Sequence, residues 1–255
     1  MQRNAGLLPI LFAAIAVAVP AQTGIREQPP LYRGPTLVVD GVFVTPIPGA
    51  PFTAAVLIRS EQPMADGSVE AKQTVSQIAR DPRGRIRNER HLMVPESYRG
   101  TPPLLSVHLF DPATRISNFC NPATLIVRQQ VVPPHEGTMD VSRGAKTEDL
   151  GFVTLEGLQA KGTRFTRTVP AQASGTGKPV EVVDEFWYSE DLHMNLLERH
   201  TDLRGGVQTV GVSDIKREEP APALFEVPEG YKIVDMTPPA GAPAARGQGV
   251  GSPTQ

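Results

Sequence analysis

Ser68-Val-Glu-Ala-Lys-Gln-Thr-Val-Ser-Gln-Ile-Ala-Arg80 runs directly into Asp81-Pro82-Arg83-Gly84 and on into Arg85-Ile-Arg-Asn-Glu-Arg-His-Leu-Met-Val94. In an extended chain, residues two apart share a face. Val69, Ala71, Gln73, Val75, Gln77 and Ala79 therefore form one face, and Lys72, Thr74, Ser76, Ile78 and Arg80 the other. No 3.6-residue period competes with this alternation. Proline at the second and glycine at the fourth position of 81–84 fit a tight β-turn. The stretch reads as a β-hairpin.

The same grammar extends in both directions. Upstream, Phe52-Thr-Ala-Ala-Val-Leu-Ile58 is β-prone and stops before the turn signal Met64-Ala-Asp66-Gly67. Val38 to Val44 has room for a short strand or hairpin. Downstream, Leu104 to Phe110 is a strand, Asp111-Pro112-Ala113-Thr114 a turn, and Arg115 to Phe119 a return. Asn121-Pro122 turns again before Thr124 to Val132. Leu150–Leu158, Gly162–Pro170, Val180–Ser189, His193–Thr201 and Val207–Arg217 follow. With the first hairpin these make about eleven strands at the spacing of an all-β sheet. The best helical stretches are 133–148 and the neighbourhood of Ala221–Leu224. The expected fold is mainly β: a single curved antiparallel sheet, a half-barrel or open barrel, with short helices or loops.

The two ends read differently. Arg3 is the only charge in the first 21 residues, Leu7 to Val19 is apolar apart from Pro9, and Val19-Pro20-Ala21 places small residues before Gln22. This is the layout of a secretory signal peptide, too short for a comfortable membrane span. Residues 22–48 form an irregular lead-in, 49–236 the β-rich domain, and 237–255 a Pro/Gly/Ala-rich tail expected to be disordered. The chain is expected to be exported, periplasmic or extracellular, with no transmembrane segment once the signal is removed.

Composition narrows function. There are 255 residues, with 25 Lys+Arg against 27 Asp+Glu and a net charge of −2, which argues against a general nucleic-acid binder. The single cysteine, Cys120, excludes an internal disulfide and a multi-cysteine metal site. The 26 prolines, about twice ordinary usage, disfavour long helices. The five histidines, at 91, 108, 135, 193 and 200, show no metal-ligand spacing, and on one strand His193 and His200 would face opposite ways. No nucleophile elbow, phosphate loop or cofactor fingerprint is present. No catalytic residue, metal ligand or cofactor is assigned.

Two features invite a binding role. Arg80, Arg83, Arg85, Arg87 and Arg90 straddle the 81–84 turn. Arg85 and Arg87 share a strand face, with Glu89 next along it. They suit an anionic head group, or a solvated strand face guarding a sheet edge. Arg164 opens an alternating strand. Trp187 and Tyr188, in Glu185-Phe-Trp-Tyr-Ser-Glu-Asp-Leu192, read as a core anchor or as the wall of an apolar cavity.

The ordered set Gly49-Ala-Pro-Phe-Thr-Ala54, Met64-Ala-Asp-Gly67, Arg80-Asp-Pro-Arg-Gly-Arg85, Trp187-Tyr-Ser-Glu-Asp-Leu192 and Leu224-Phe-Glu-Val-Pro-Glu-Gly-Tyr231 resembles an uncharacterised family of secreted bacterial β-rich proteins. At the level of fold the succession is similar to LolA/LppX-type envelope proteins. That resemblance implies a half-barrel around an apolar concave face and a carrier or sensor of lipid or acyl chains. The resulting expectation is an exported, non-enzymatic binding protein, with Trp187, Tyr188, Arg85, Arg87 and Arg164 as ligand-binding residues. The alternative is an envelope interaction or sensor module that meets a protein partner and holds no small ligand.

Overall fold

The computed structural model describes residues 41–134 and 144–238. The expected signal peptide, the lead-in as far as residue 40, His135, most of the 133–148 segment and the tail from 239 lie outside the described residues. The described residues fall in the unit Tyr32–Gln255; the other unit, Met1–Leu31, lies outside them.

Thirteen strands form one sheet: β1 (Phe52–Pro63), β2 (Val69–Arg80), β3 (Ile86–His91), β4 (Val94–Pro95), β5 (Leu104–Asp111), β6 (Ile116–Asn121), β7 (Ile126–Val131), β8 (Lys146–Leu155), β9 (Leu158–Val169), β10 (Val180–Ser189), β11 (Met194–Asp202), β12 (Gly206–Lys216) and β13 (Lys232–Asp235). A single helical turn, α1 (Ala171–Ser174), and a 3-10 turn, Pro222–Phe225, interrupt them. The order is β13-β7-β6-β5-β3-β2-β1-β12-β11-β10-β9-β8, with β4 paired to β2 off this path. Two antiparallel meanders, β1–β7 and β8–β12, are thus joined through the β1–β12 pair. The sheet is large, curved and open, with β13 at one edge and β8 at the other.

The count of about eleven strands is corrected to thirteen. The two additions are short: β4 has two residues and β13 four, too few to show an alternation. The sheet is not wholly antiparallel, because β13 runs parallel to β7, from Lys232 opposite Ile126 to Asp235 opposite Gln129. The described residues 41–44 form no strand, and strand begins at Lys146, inside the 133–148 stretch that read as a surface loop or one short helix. The β8–β9 turn lies earlier than its neighbours suggest. Glu156 and Gly157 both have positive φ, 50° and 75°, the geometry of a two-residue hairpin loop that joins Leu155 to Leu158.

The main core lies on one face of the sheet. Phe52, Val56 and Ile58 of β1, Ile78 of β2 and Val210 and Val212 of β12 are buried there. Val42 and Val44 of the lead-in pack into the same cluster, each contributing roughly 2 kcal/mol. Hydrogen bonds fasten this segment down. Asn88 Nδ2 donates to the Val42 carbonyl (3.1 Å), Gly49 N to the Pro82 carbonyl (3.0 Å) and Thr45 Oγ1 to the His193 carbonyl. Arg80 is fully buried beneath it. Its Nε donates to the Ala50 carbonyl and Nη1 to the Thr45 carbonyl, both at 2.8 Å, and its guanidinium lies 5.0 Å from the Phe52 ring centroid. The chain thus fills this part of its own sheet.

A second, smaller core covers the other face. Val107, Leu109, Cys120 and Val127 are buried there beneath Val227 and Tyr231 of the segment leading to β13. Side chains alternate along β5–β7, so Ser106, His108 and Phe119 project on the main-core side.

Candidate functional site

On that side, β6, β7 and β13 form a groove of about 610 Å3. Its floor is a register row. His108 stands opposite Phe119, Phe119 opposite Arg128, and Arg128 opposite Val234. Ile126 and Met236 extend the apolar wall, and Asn121, Thr124 and Gln130 supply polar groups. Phe119 is held by His108, whose ring stacks on it at 4.3 Å and 8°, while His108 Nε2 meets Ser117 Oγ at 2.9 Å. Burial pushes the His108 imidazole below its ordinary value, which keeps it neutral near pH 7. Arg128 makes no ion pair or hydrogen bond with any described residue. An aromatic ring, three aliphatic or thioether side chains and one unspent guanidinium thus face a common space, the makeup of a site for an amphipathic anion.

The floor is placed by two sibling turns. Asp111-Pro-Ala-Thr-Arg115 joins β5 to β6, and Asn121-Pro-Ala-Thr-Leu125 joins β6 to β7. Asp111 Oδ1 accepts from the Ala113 amide (2.8 Å), and Asn121 Oδ1 from the Ala123 amide (2.9 Å). The fifth residue of each has positive φ, 61° at Arg115 and 53° at Leu125. β13 is then pinned to β7 by Lys232 N to the Leu125 carbonyl (2.8 Å) and Met236 N to the Gln129 carbonyl (2.7 Å).

The five residues singled out in the sequence lie elsewhere. Arg85 Nε donates to Asp81 Oδ2 at 2.7 Å, and its guanidinium lies 5.1 Å from the Phe225 ring centroid. Arg87 pairs with Glu89 at 2.8 Å and donates to the Leu224 carbonyl at 3.1 Å. The structure brings these two together, around the 3-10 turn. Arg164 sits between Glu185 (2.6 Å) and Glu148 (3.2 Å) in a shallow charged depression of about 400 Å3. Trp187 is half-buried, packs against the main core and covers Gly162. Tyr188, next along the strand at a register shift of the β10–β11 pair, is half-buried and within electrostatic reach of Arg80. None of the five lines the groove.

A second cluster was not singled out in the sequence. Asp184 of β10 accepts from His200 Nδ1 of β11 and Arg167 Nη2 of β9, both at 2.6 Å. The three residues lie on three strands, 17 and 16 positions apart, and only the strand register joins them. The sole clue lay in their parities, which set one face apiece and said nothing about pairing.

No family model matches the chain, and no curated protein matches it. Several solved structures are similar in fold. An uncharacterized conserved protein from Thermus thermophilus is 15% identical, with a TM-score of 0.40, over 73% of this chain and 90% of that one. In the Pseudomonas aeruginosa MucA/MucB complex the match is 10% identical with a TM-score of 0.41, over 69% of this chain but only 55% of the other. The Mycobacterium tuberculosis lipoprotein LppX is 12% identical, with a TM-score of 0.28, over 66% of this chain and 88% of its own. LolA/LppX-type proteins, the expected resemblance, are thus among the solved structures that this chain matches, at TM-scores below 0.5.

Proposed function

We propose that this chain is an exported, non-catalytic binding protein whose β6–β7–β13 groove holds an amphipathic ligand, an acyl chain bearing an anionic group. The observation that carries the reading is the placement of Arg128, unpaired among the described residues, between Phe119 and Val234 in a groove of about 610 Å3. The volume lies within the range of small-molecule sites. Export rests on the N-terminal charge and hydropathy pattern.

Magnitudes divide the labour. Each methylene removed from water contributes about 0.8 kcal/mol, so the apolar wall sets affinity. A contact to a solvent-exposed guanidinium contributes up to about 1 kcal/mol, so Arg128 sets selectivity for the anionic form.

The test is titration of the purified chain with a fluorescent fatty acid and with the matching neutral alcohol. The expected result is saturable binding of both, lost in Ile126→Glu, with the preference for the acid removed in Arg128→Gln. Absence of saturable binding, or binding untouched by Ile126→Glu in a folded variant, overturns the proposal.

A further inference from the structure

The Asp184 cluster borders a cavity of about 430 Å3, walled by Arg167, Val182, His200, Asp202 and Arg204. It lies on the β8–β12 meander, away from the groove on β6, β7 and β13. Both oxygens of Asp184 are engaged, Oδ1 by His200 Nδ1 and Oδ2 by Arg167 Nη2. One buried carboxylate thereby holds an imidazole and a guanidinium within reach of each other. Asp202 is bound by Arg204, whose Nη2 reaches Oδ2 at 2.6 Å and whose Nε reaches Oδ1 at 2.8 Å, and Arg204 also bonds the Ser174 carbonyl.

Other donors of the cluster are unspent. Arg167 Nε is buried with no hydrogen-bond partner, and Nη1 has none among the described residues. His200 Nε2 likewise bonds no described residue. A guanidinium with two unpaired nitrogens beside an oriented imidazole is matched to an acceptor with several oxygens. An Asp–His pair also orients a general base in acyl transfer. That role needs a hydroxyl or thiol on Nε2, and no described residue supplies one.

We propose that this cavity binds the oxyanion group of a small molecule, a carboxylate, phosphate or sulfate, between Arg167 and His200, with Asp184 as the positioning residue. The charged groups around His200 are Asp184 on β10, Arg167 on β9, Asp202 and Arg204 at the β11–β12 turn, and Glu198 two residues along β11. Gln208 stands opposite on β12.

The experiment uses the purified full-length protein and sulfate, whose charge is constant from pH 6 to 8, at matched ionic strength. Calorimetric titration is expected to show saturable binding at either pH. Arg167→Gln is expected to weaken it about tenfold or more. On the unmutated protein, nitrogen NMR of the imidazoles is expected to show the His200 signals moving on sulfate addition, which keeps the test sound if Arg167→Gln does not fold. No saturable binding at either pH, unchanged affinity in a folded Arg167→Gln, or His200 signals indifferent to sulfate would each overturn the proposal. Arg128→Gln should leave sulfate binding intact, so this site and the groove stand or fall separately.

Discussion

The indole of Trp187 occupies the space where a side chain at Gly162 would stand. The two residues face each other across β10 and β9, and a Cβ on Gly162 would lie 2.5 Å from Cζ3 of the ring. Cε3 and Cη2 would be 2.7 Å away, so no small rotation of the indole relieves the clash. Gly162 is thus required by its neighbour's size, and the pair joins β9 to the main core. Gly162→Ala should destabilise the fold by about 2 kcal/mol. That corresponds to a fall in Tm of roughly 4–8 °C for a domain of this size. Trp187 is the sole tryptophan, so its emission should shift to the red in the same variant.

Arg80 should matter for folding and leave ligand binding alone. Its guanidinium satisfies the Thr45 carbonyl of the lead-in and the Ala50 carbonyl just beyond it, and no carboxylate pairs with it among the described residues. Burial lowers the pKa of the guanidinium from its usual value, and the nearby Tyr188 partly opposes that. Arg80→Met keeps the packing on Phe52 but strands both carbonyls. A loss of about 3 kcal/mol is expected. Limited proteolysis should then cut first near residues 41–50. Cleavage confined to other loops would count against this role.

The pH profile should show two opposed slopes. Burial pushes the Asp81 carboxyl up, but Arg85 and the Arg85 and Arg83 amides more than offset it, leaving it below the ordinary 3.8. Burial likewise opposes, and His200 and Arg167 more than offset, at Asp184. A depressed folded value adds stability above the unfolded value that disappears as pH falls below about 4. Glu198 behaves oppositely. Burial between Phe186 and Val210 raises its carboxyl above 4.5, against a hydrogen bond from Asn195. Its contribution is present below pH 4.5 and is lost as pH rises through the raised value. Glu198→Gln should therefore stabilise the protein at pH 7 and not at pH 4. Thermal melts of both proteins at each pH check this, and a gain independent of pH would refute it.

The two Asx-Pro turns should be exchangeable. Asn121→Asp gives the β6–β7 turn the residue that the β5–β6 turn already uses, so a change under about 0.5 kcal/mol is expected. Asn121→Ala removes the acceptor of the Ala123 and Thr124 amides and should cost about 1 kcal/mol. Chemical denaturation distinguishes the two. Because this turn places Thr124 and Ile126, Asn121→Ala should also weaken fatty-acid binding in the groove.

Strand identity was legible for strands of six residues or more, although β8 begins four residues earlier than its reading. The 68–80 alternation predicted β2 and both its faces correctly. It did not say which face is buried. Val69 and Val75 are 63% and 47% exposed, while Thr74, Ser76 and Arg80 on the more polar face are at most 3% exposed. Alternation reports only that neighbours differ, and the lead-in laid over β2 decides which side loses its water. The Arg85 and Arg87 pair was legible as one face, yet its partners are remote in the chain, Leu224 standing 137 positions beyond Arg87. The groove was not legible, because Phe119, Arg128 and Val234 become neighbours only through strand register.

By itself the sequence determined a β-rich chain punctuated by Asp-Pro, Asn-Pro and Gly turns, for those residues constrain φ and ψ locally. Only the tertiary structure decided that β1 pairs with β12, that β13 enters parallel to β7, and that Asp184, His200 and Arg167 meet. Pairing between distant strands depends on which faces can shed water together, and that is a property of the assembled sheet that no short window of residues contains.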